Sequence, residues 1–112
     1  MKHLCVVLTE PTQGKAAEFD SYYENVHLDE VLATTGWESA QRFVLTDQNG
    51  QKYPLPYLAL YEIEAPAPSV VIRKMNDTRA KRPQSESLNR RPAAVWVFSA
   101  TGPKHRRKAD PG

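Results

Sequence analysis

Residues 3–9, His3-Leu4-Cys5-Val6-Val7-Leu8-Thr9, and residues 93–99, Ala93-Ala94-Val95-Trp96-Val97-Phe98-Ser99, are short runs that stay apolar without alternating. A strand with one wet face alternates apolar and polar residues. An unbroken, β-branched run predicts a strand that needs cover on both faces. With one such run near each end of the chain, the residues between them must supply the rest of the sheet and its covering layer.

Working inward from the first run, Glu10-Pro11-Thr12-Gln13-Gly14 is turn chemistry. A helix is predicted from about Lys15 to Val26, with Ala16, Phe19, Tyr23 and Val26 on one face and Glu18 and Asp20 near its favourable N-terminus. Leu28 to Ala33 reads as a short helical continuation stopped by Thr34-Thr35-Gly36. Trp37 to Thr46 is strand-like and leads to a turn at Asn49-Gly50. The returning strand is Tyr57 to Ile63, with Pro54 and Pro56 marking an irregular start or an edge. Ser69 is the expected N-cap of a helix from Val70 to about Arg79, and Lys81 to Pro92 is a polar loop before the second apolar run.

The order is β-α-β-β-α-β, so the expected class is α+β, a ferredoxin-like fold with a four-stranded antiparallel sheet. Two helices cover one face only. The second face therefore calls for a second copy of the chain, two subunits packing sheet to sheet. At 112 residues, 40% hydrophobic and 25% charged, the chain is one ordinary domain, expected over residues 1–100. No apolar stretch approaches the ~18–20 residues of a membrane span, and the apolar start is too short and too β-branched for a signal peptide. With a single cysteine, Cys5, inside an apolar run, the expected compartment is the cytoplasm. Charge is lopsided. Residues 1–72 hold 4 Lys/Arg against 10 Asp/Glu, and residues 73–112 hold 11 against 3. Lys104-His105-Arg106-Arg107-Lys108 lies in what reads as a disordered basic tail over residues 101–112.

The stretch Phe19-Asp20-Ser21-Tyr22-Tyr23-Glu24-Asn25-Val26-His27-Leu28, followed by Val31-Leu32, Gly36-Trp37 and Ser39-Ala40-Gln41-Arg42-Phe43, resembles the EthD-like branch of the dimeric α+β-barrel superfamily. Tyr57-Leu58-Ala59-Leu60-Tyr61-Glu62 is similar to that branch's third strand. The resemblance covers about residues 2–99 and implies a homodimer with a small-molecule pocket between sheet and helices in each subunit. Relatives of that kind include aromatic polyketide cyclases, lactone isomerases, dehydratases and cofactor-free monooxygenases, besides many chains with no assigned activity. Haem is bound elsewhere in the superfamily, but nothing else in this sequence favours it.

His27 is the residue best suited to chemistry, because an imidazole exchanges protons near neutral pH. Tyr23 lies four residues before it, on the same face of a continuous helix, where a phenol can donate to a developing oxyanion. That pair suits enolisation, ring closure, dehydration or double-bond migration without a cofactor. A histidine capping its helix end is the competing reading of His27. Arg42, in a strand among apolar neighbours, either anchors an anionic substrate or pairs with Glu38, Glu62 or Glu64. Tyr22, Trp37, Tyr57, Tyr61 and Trp96 are expected pocket walls, dimer contacts or core, and His3 is a lesser candidate at the mouth of the first strand. No zinc spacing, phosphate loop or nucleophile elbow occurs, so no metal and no cofactor are expected. RNA-recognition domains share the element order, but they need an aromatic on the first strand and a Gly-aromatic third strand, both missing here. The expected function is therefore a cofactor-independent enzyme doing proton-transfer chemistry on a hydrophobic oxygenated or aromatic metabolite. The alternative is a binding or accessory protein on the same scaffold.

Overall fold

The sheet is built around the first apolar run. In the computed structural model, which describes residues 1–51 and 55–108, β1 (Lys2–Pro11) pairs antiparallel with both β3 (Tyr57–Glu64) and β4 (Leu88–Ser99). The strand β2 (Ser39–Val44) pairs antiparallel with β3, giving the order β2-β3-β1-β4 of a ferredoxin-like fold. Residues 45–56 join β2 to β3. Gly50 takes φ 89° in that connection, and the Leu45 N–H donates to the Pro56 carbonyl at 2.8 Å at its base. Pro54 lies outside the described residues.

Register sorts the side chains onto two faces. Cys5, Ala59, Tyr61 and Ile63 join Phe19, Tyr23, Leu28, Val31, Val71 and Met75 in the main core, beneath the helices. The other face carries a smaller cluster of Val6, Leu8 and Leu55, with Leu58, Leu60 and Ala94 against it. Each fully buried side chain of this kind contributes about 1.5–3 kcal/mol. Both faces of β1 are thus filled. β4 is different: it is an edge strand, and Trp96 and Phe98, opposite Val6 and Leu4, stay 41% and 53% exposed.

The first helical segment is interrupted. It comprises α1 (Ala16–Tyr22), a π turn (Tyr23–His27) and α2 (Leu28–Thr35). Its buried residues are Phe19, Tyr23, Leu28, Val31 and Thr35. The five-residue step from Tyr23 to Leu28 is the mark of the π turn, which adds one residue to the helix. Val26, expected on the inner face, is therefore rotated outward and 44% exposed. Gly36 ends α2 at φ 75°, and its N–H donates to the Leu32 carbonyl at 2.9 Å.

The second helix, α3 (Pro68–Thr78), begins at Pro68, where a missing N–H costs nothing, with Ala67 as N-cap. Ser69, expected to cap it, lies within its first turn and makes no cap hydrogen bond. A 3-10 turn follows at Arg79–Lys81. β4 starts at Leu88, earlier than expected from Ala93, because Pro92 falls in an irregularity of the ladder where no N–H is required. Between the pairs Leu8–Ala94 and Glu10–Asn89, β1 advances two residues while β4 advances five. A bulge on β4 thus stands opposite Thr9, and the Asn89 amide donates to Glu10 at 2.9 Å below it.

Beyond β4 the Ala100 N–H donates to the Lys2 carbonyl at 3.0 Å. Residues 101–108 are exposed and form no helix or strand, and residues 109–112 lie outside the described residues. Among the described residues no helix is long and apolar enough to cross a membrane.

A Cβ at Gly36 would meet no atom within 4 Å, so any cost of adding one is conformational alone. Gly36→Ala is expected to destabilise the fold by about 1–2 kcal/mol through its left-handed backbone, measured by urea denaturation. An unchanged midpoint would show that the helix end relaxes freely.

Candidate functional site

The residue inserted in the first helical segment shapes one wall of a cavity between helices and sheet. Residues five apart on an α-helix are turned well away from each other, but an i→i+5 turn sets them one above the other. Tyr22 and His27 stack at 5.0 Å between ring centroids, and the Tyr22 hydroxyl lies 2.9 Å from His27 Nδ1. Tyr23, four residues before His27, meets the imidazole edge-on at 4.8 Å. The expected Tyr23–His27 pair is therefore in contact, but the hydrogen bond to the imidazole comes from Tyr22.

The hydrogen-bond pattern around Tyr22 is the basis on which a tautomer is assigned. The Tyr22 hydroxyl also donates to the Pro83 carbonyl at 3.1 Å, and a carbonyl can only accept. With its one proton used there, Tyr22 accepts from His27 Nδ1–H, which leaves Nε2 as the bare, basic nitrogen. Burial, reinforced by the Arg82 charge, pulls the imidazole down to about 4, so His27 is neutral at pH 7. Burial pushes the Tyr23 phenol up to about 12, against a hydrogen bond from Thr9. Tyr61 is also raised by burial, with Tyr23 and Cys5 adding to the effect. All three phenols, Tyr22 included, are proton donors rather than phenolates at neutral pH.

Tyr23, His27 and Tyr61 line a cavity of about 270 Å³, whose apolar surface comes from Val7, Val31, Met75 and Val95. Its volume lies near the lower end of small-molecule sites and suits a ligand of one or two rings. The far wall is supplied by Arg79, Arg82, Gln84 and Arg90, and no acidic residue belongs to the lining. Arg90 and Ala93 enter the lining from the β4 bulge.

The other sequence candidates lie elsewhere. Tyr22 stands behind His27, outside the lining. Trp37 is core, its ring 5.5 Å from that of Tyr61. His3 is fully buried toward the other end of β1, with Nδ1 2.7 Å from the Ser99 hydroxyl and Nε2 3.2 Å from the Ala65 carbonyl. Arg42 pairs with Asp20 at 2.8 Å and Glu24 at 3.3 Å, beneath the rings of Phe19, Tyr23 and Tyr57 at 5.2–5.4 Å. None of the glutamates expected to pair with it does so. Alternation puts Glu62 and Glu64 on the opposite sheet face, where they meet Lys2 and the N-terminal amine. Arg42 therefore clamps α1 and the π turn onto β2.

The arginine wall was missed residue by residue. Its one signal in the sequence is the excess of basic residues after residue 72, of which only Lys104 to Lys108 belong to the expected tail. Among the described residues no group of three His, Cys, Asp or Glu side chains forms a metal site.

No protein-family profile matches the chain, and no curated protein matches it in sequence. A solved structure matches it in fold: the crystal structure of an ethyl tert-butyl ether D (EthD) family protein from Bacillus halodurans C-125. The two share 12% identity, with 90% of this chain and 100% of that chain covered, at a TM-score of 0.58. The chain has the EthD-like fold.

Between about pH 6.5 and 4 the unfolded chain takes up a proton on His27 that the folded chain does not. Its contribution to stability is full above that window, falls as pH drops through it, and levels off below. Denaturation at pH 7 and pH 4 should show His27→Phe losing less stability than wild type, by on the order of 3 kcal/mol. Equal losses would mean that the imidazole is not held neutral.

Proposed function

We propose that this EthD-fold chain is a cofactor-independent enzyme that moves protons on a small hydrophobic, oxygenated or aromatic metabolite, a lyase or isomerase of cyclase or dehydratase type. One observation carries the reading: at the wall of a cavity that is apolar on one side and cationic on the other, an imidazole held neutral has Nδ1 in a hydrogen bond with Tyr22 and the Tyr23 ring against it, and the assigned tautomer leaves Nε2 as the base. In the proposed step, Nε2 takes a proton from the carbon beside a substrate carbonyl, and the electron pair moves onto the carbonyl oxygen. Phenol donors and the arginine wall stabilise that developing oxyanion in a low-dielectric site. The imidazolium then returns the proton to another carbon in an isomerisation, or to a departing hydroxyl in a dehydration.

The low basicity of His27 favours a second reading, a binding or accessory protein that leaves its ligand unchanged. Tryptophan fluorescence and mass analysis of wild type beside His27→Gln, across aromatic acids, lactones and ketones, separates the two. Turnover that falls by about 10²–10⁴-fold in the variant, with binding retained, is the enzyme result. Ligands bound and recovered unchanged would leave the accessory role.

We also propose that the chain works as a homodimer in the cytoplasm, where a lone buried thiol such as Cys5 stays reduced. The sheet face away from the helices supports the dimer. It exposes Phe43 at an apolar hollow of about 190 Å³ formed with Leu55, Pro56 and Leu58, and Trp96 and Phe98 on the opposite edge strand. Phe98→Glu is expected to convert a dimer to a monomer in analytical ultracentrifugation; a wild-type monomer at micromolar concentration would overturn the dimer.

A further inference from the structure

The arginine wall holds more positive charge than the protein neutralises. Arg82 follows the 3-10 turn and is only 6% exposed. Its guanidinium donates to the Thr34 hydroxyl at 3.0 Å, the Thr78 hydroxyl at 2.7 Å and the Met75 carbonyl at 3.2 Å. Both hydroxyls spend their own protons on carbonyls of their helices, so they serve Arg82 purely as acceptors. The side chain is thereby fixed between the ends of α2 and α3. Three bonds leave at least two of its five donors, and the buried Nε–H has no partner.

All three acceptors are neutral. Among the described residues Arg82 forms no ion pair, and neither do Arg79 and Arg90. The negative charge that Arg82 feels from protein carboxylates is that of Glu30, which forms no ion pair with it and has its own buried Oε1 unpartnered. A buried cation without a counter-ion is costly, and here it borders a cavity with no acid in its lining. Arg79, Gln84 and Arg90 are exposed, so the cationic surface extends from the buried guanidinium to solvent.

We infer that this wall is a carboxylate subsite: Arg82, with Arg79, Gln84 and Arg90 near solvent, receives the acid group of a small organic acid whose one or two rings fill the apolar part of the cavity. The inference rests on the reading of this cavity as the ligand site and narrows its substrate class to acids. A carboxylate would supply the counter-charge that this wall lacks, and the apolar remainder of the cavity offers a phosphoryl group little further hydrogen bonding.

The test is calorimetry on the full chain with 2-naphthoate, its neutral isostere 2-naphthamide and inorganic phosphate. Naphthoate is expected to bind at least about tenfold more tightly than naphthamide, with phosphate weaker than both. Arg90→Gln should cut naphthoate affinity about three- to tenfold and leave naphthamide unchanged. Arg82→Gln should abolish the preference for the acid. Should that variant fail to fold, Arg82→Lys keeps the charge, loses the planar fork, and is expected to lose about tenfold. Equal binding of acid and amide, binding of phosphate as tight as naphthoate, an acid preference that survives these substitutions, or no binding of any probe would overturn the subsite. Acid-selective binding keeps the subsite whatever the turnover assay of the proposed function returns, because these probes carry no proton on the carbon beside the carbonyl. Turnover of neutral ligands without acid preference keeps the enzyme reading and removes the subsite.

Discussion

An α-helix advances about 100° per residue, so a face that begins Phe19, Tyr23 would continue through residues 26 and 27. In this chain one residue too many is accommodated at Tyr23–His27, and the buried face resumes at Leu28. The consequences reach across the site. Val26 goes to solvent, His27 is held at the cavity wall, and Tyr22 comes round to hydrogen-bond the imidazole. Below the turn, Arg42 grips Asp20 and Glu24 while lying against three aromatic rings, which ties the irregular segment to β2. A wide turn without such a clamp has no reason to choose one position along the helix.

Fold and site differ in how far they could be read from residues alone. The apolar runs at His3–Thr9 and Ala93–Ser99 led to the element order, because two-sided burial and turn chemistry are written in composition and period. The EthD-like resemblance fits the fold that the structural comparison finds. The helix interruption could not be read, because a single inserted residue leaves no mark on an apolar period only a few turns long. Tyr22 was passed over as the imidazole's partner for that reason. The start of α3 was misplaced for a different one: Pro68 and Ser69 are both good helix openers, and the proline took the first position.

The arginines show a third kind of illegibility. Arg79, Arg82 and Arg90 belong to no local motif, and they converge only because α3 ends beside the bulge in β4. Their charge was visible as an excess in the second part of the chain, yet a sum cannot distinguish a tail from a wall. Threonines at two helix ends, Thr34 and Thr78, are what turn Arg82 from a surface cation into a fixed one, and hydroxyls at those places look like ordinary C-terminal polarity in a sequence.

The bulge in β4 separates two jobs that a single strand would otherwise do together. On the far side of it, Ala94 to Ser99 keep strict register with β1 and present Trp96 and Phe98 on the outer face. Within it, Arg90 and Ala93 line the cavity free of that register. A substitution, or even a changed loop length, between residues 90 and 93 can therefore reshape what the cavity accepts without sliding the sheet. This edge strand is a place where the wall of the cavity can change while the scaffold and its outer face stay constant.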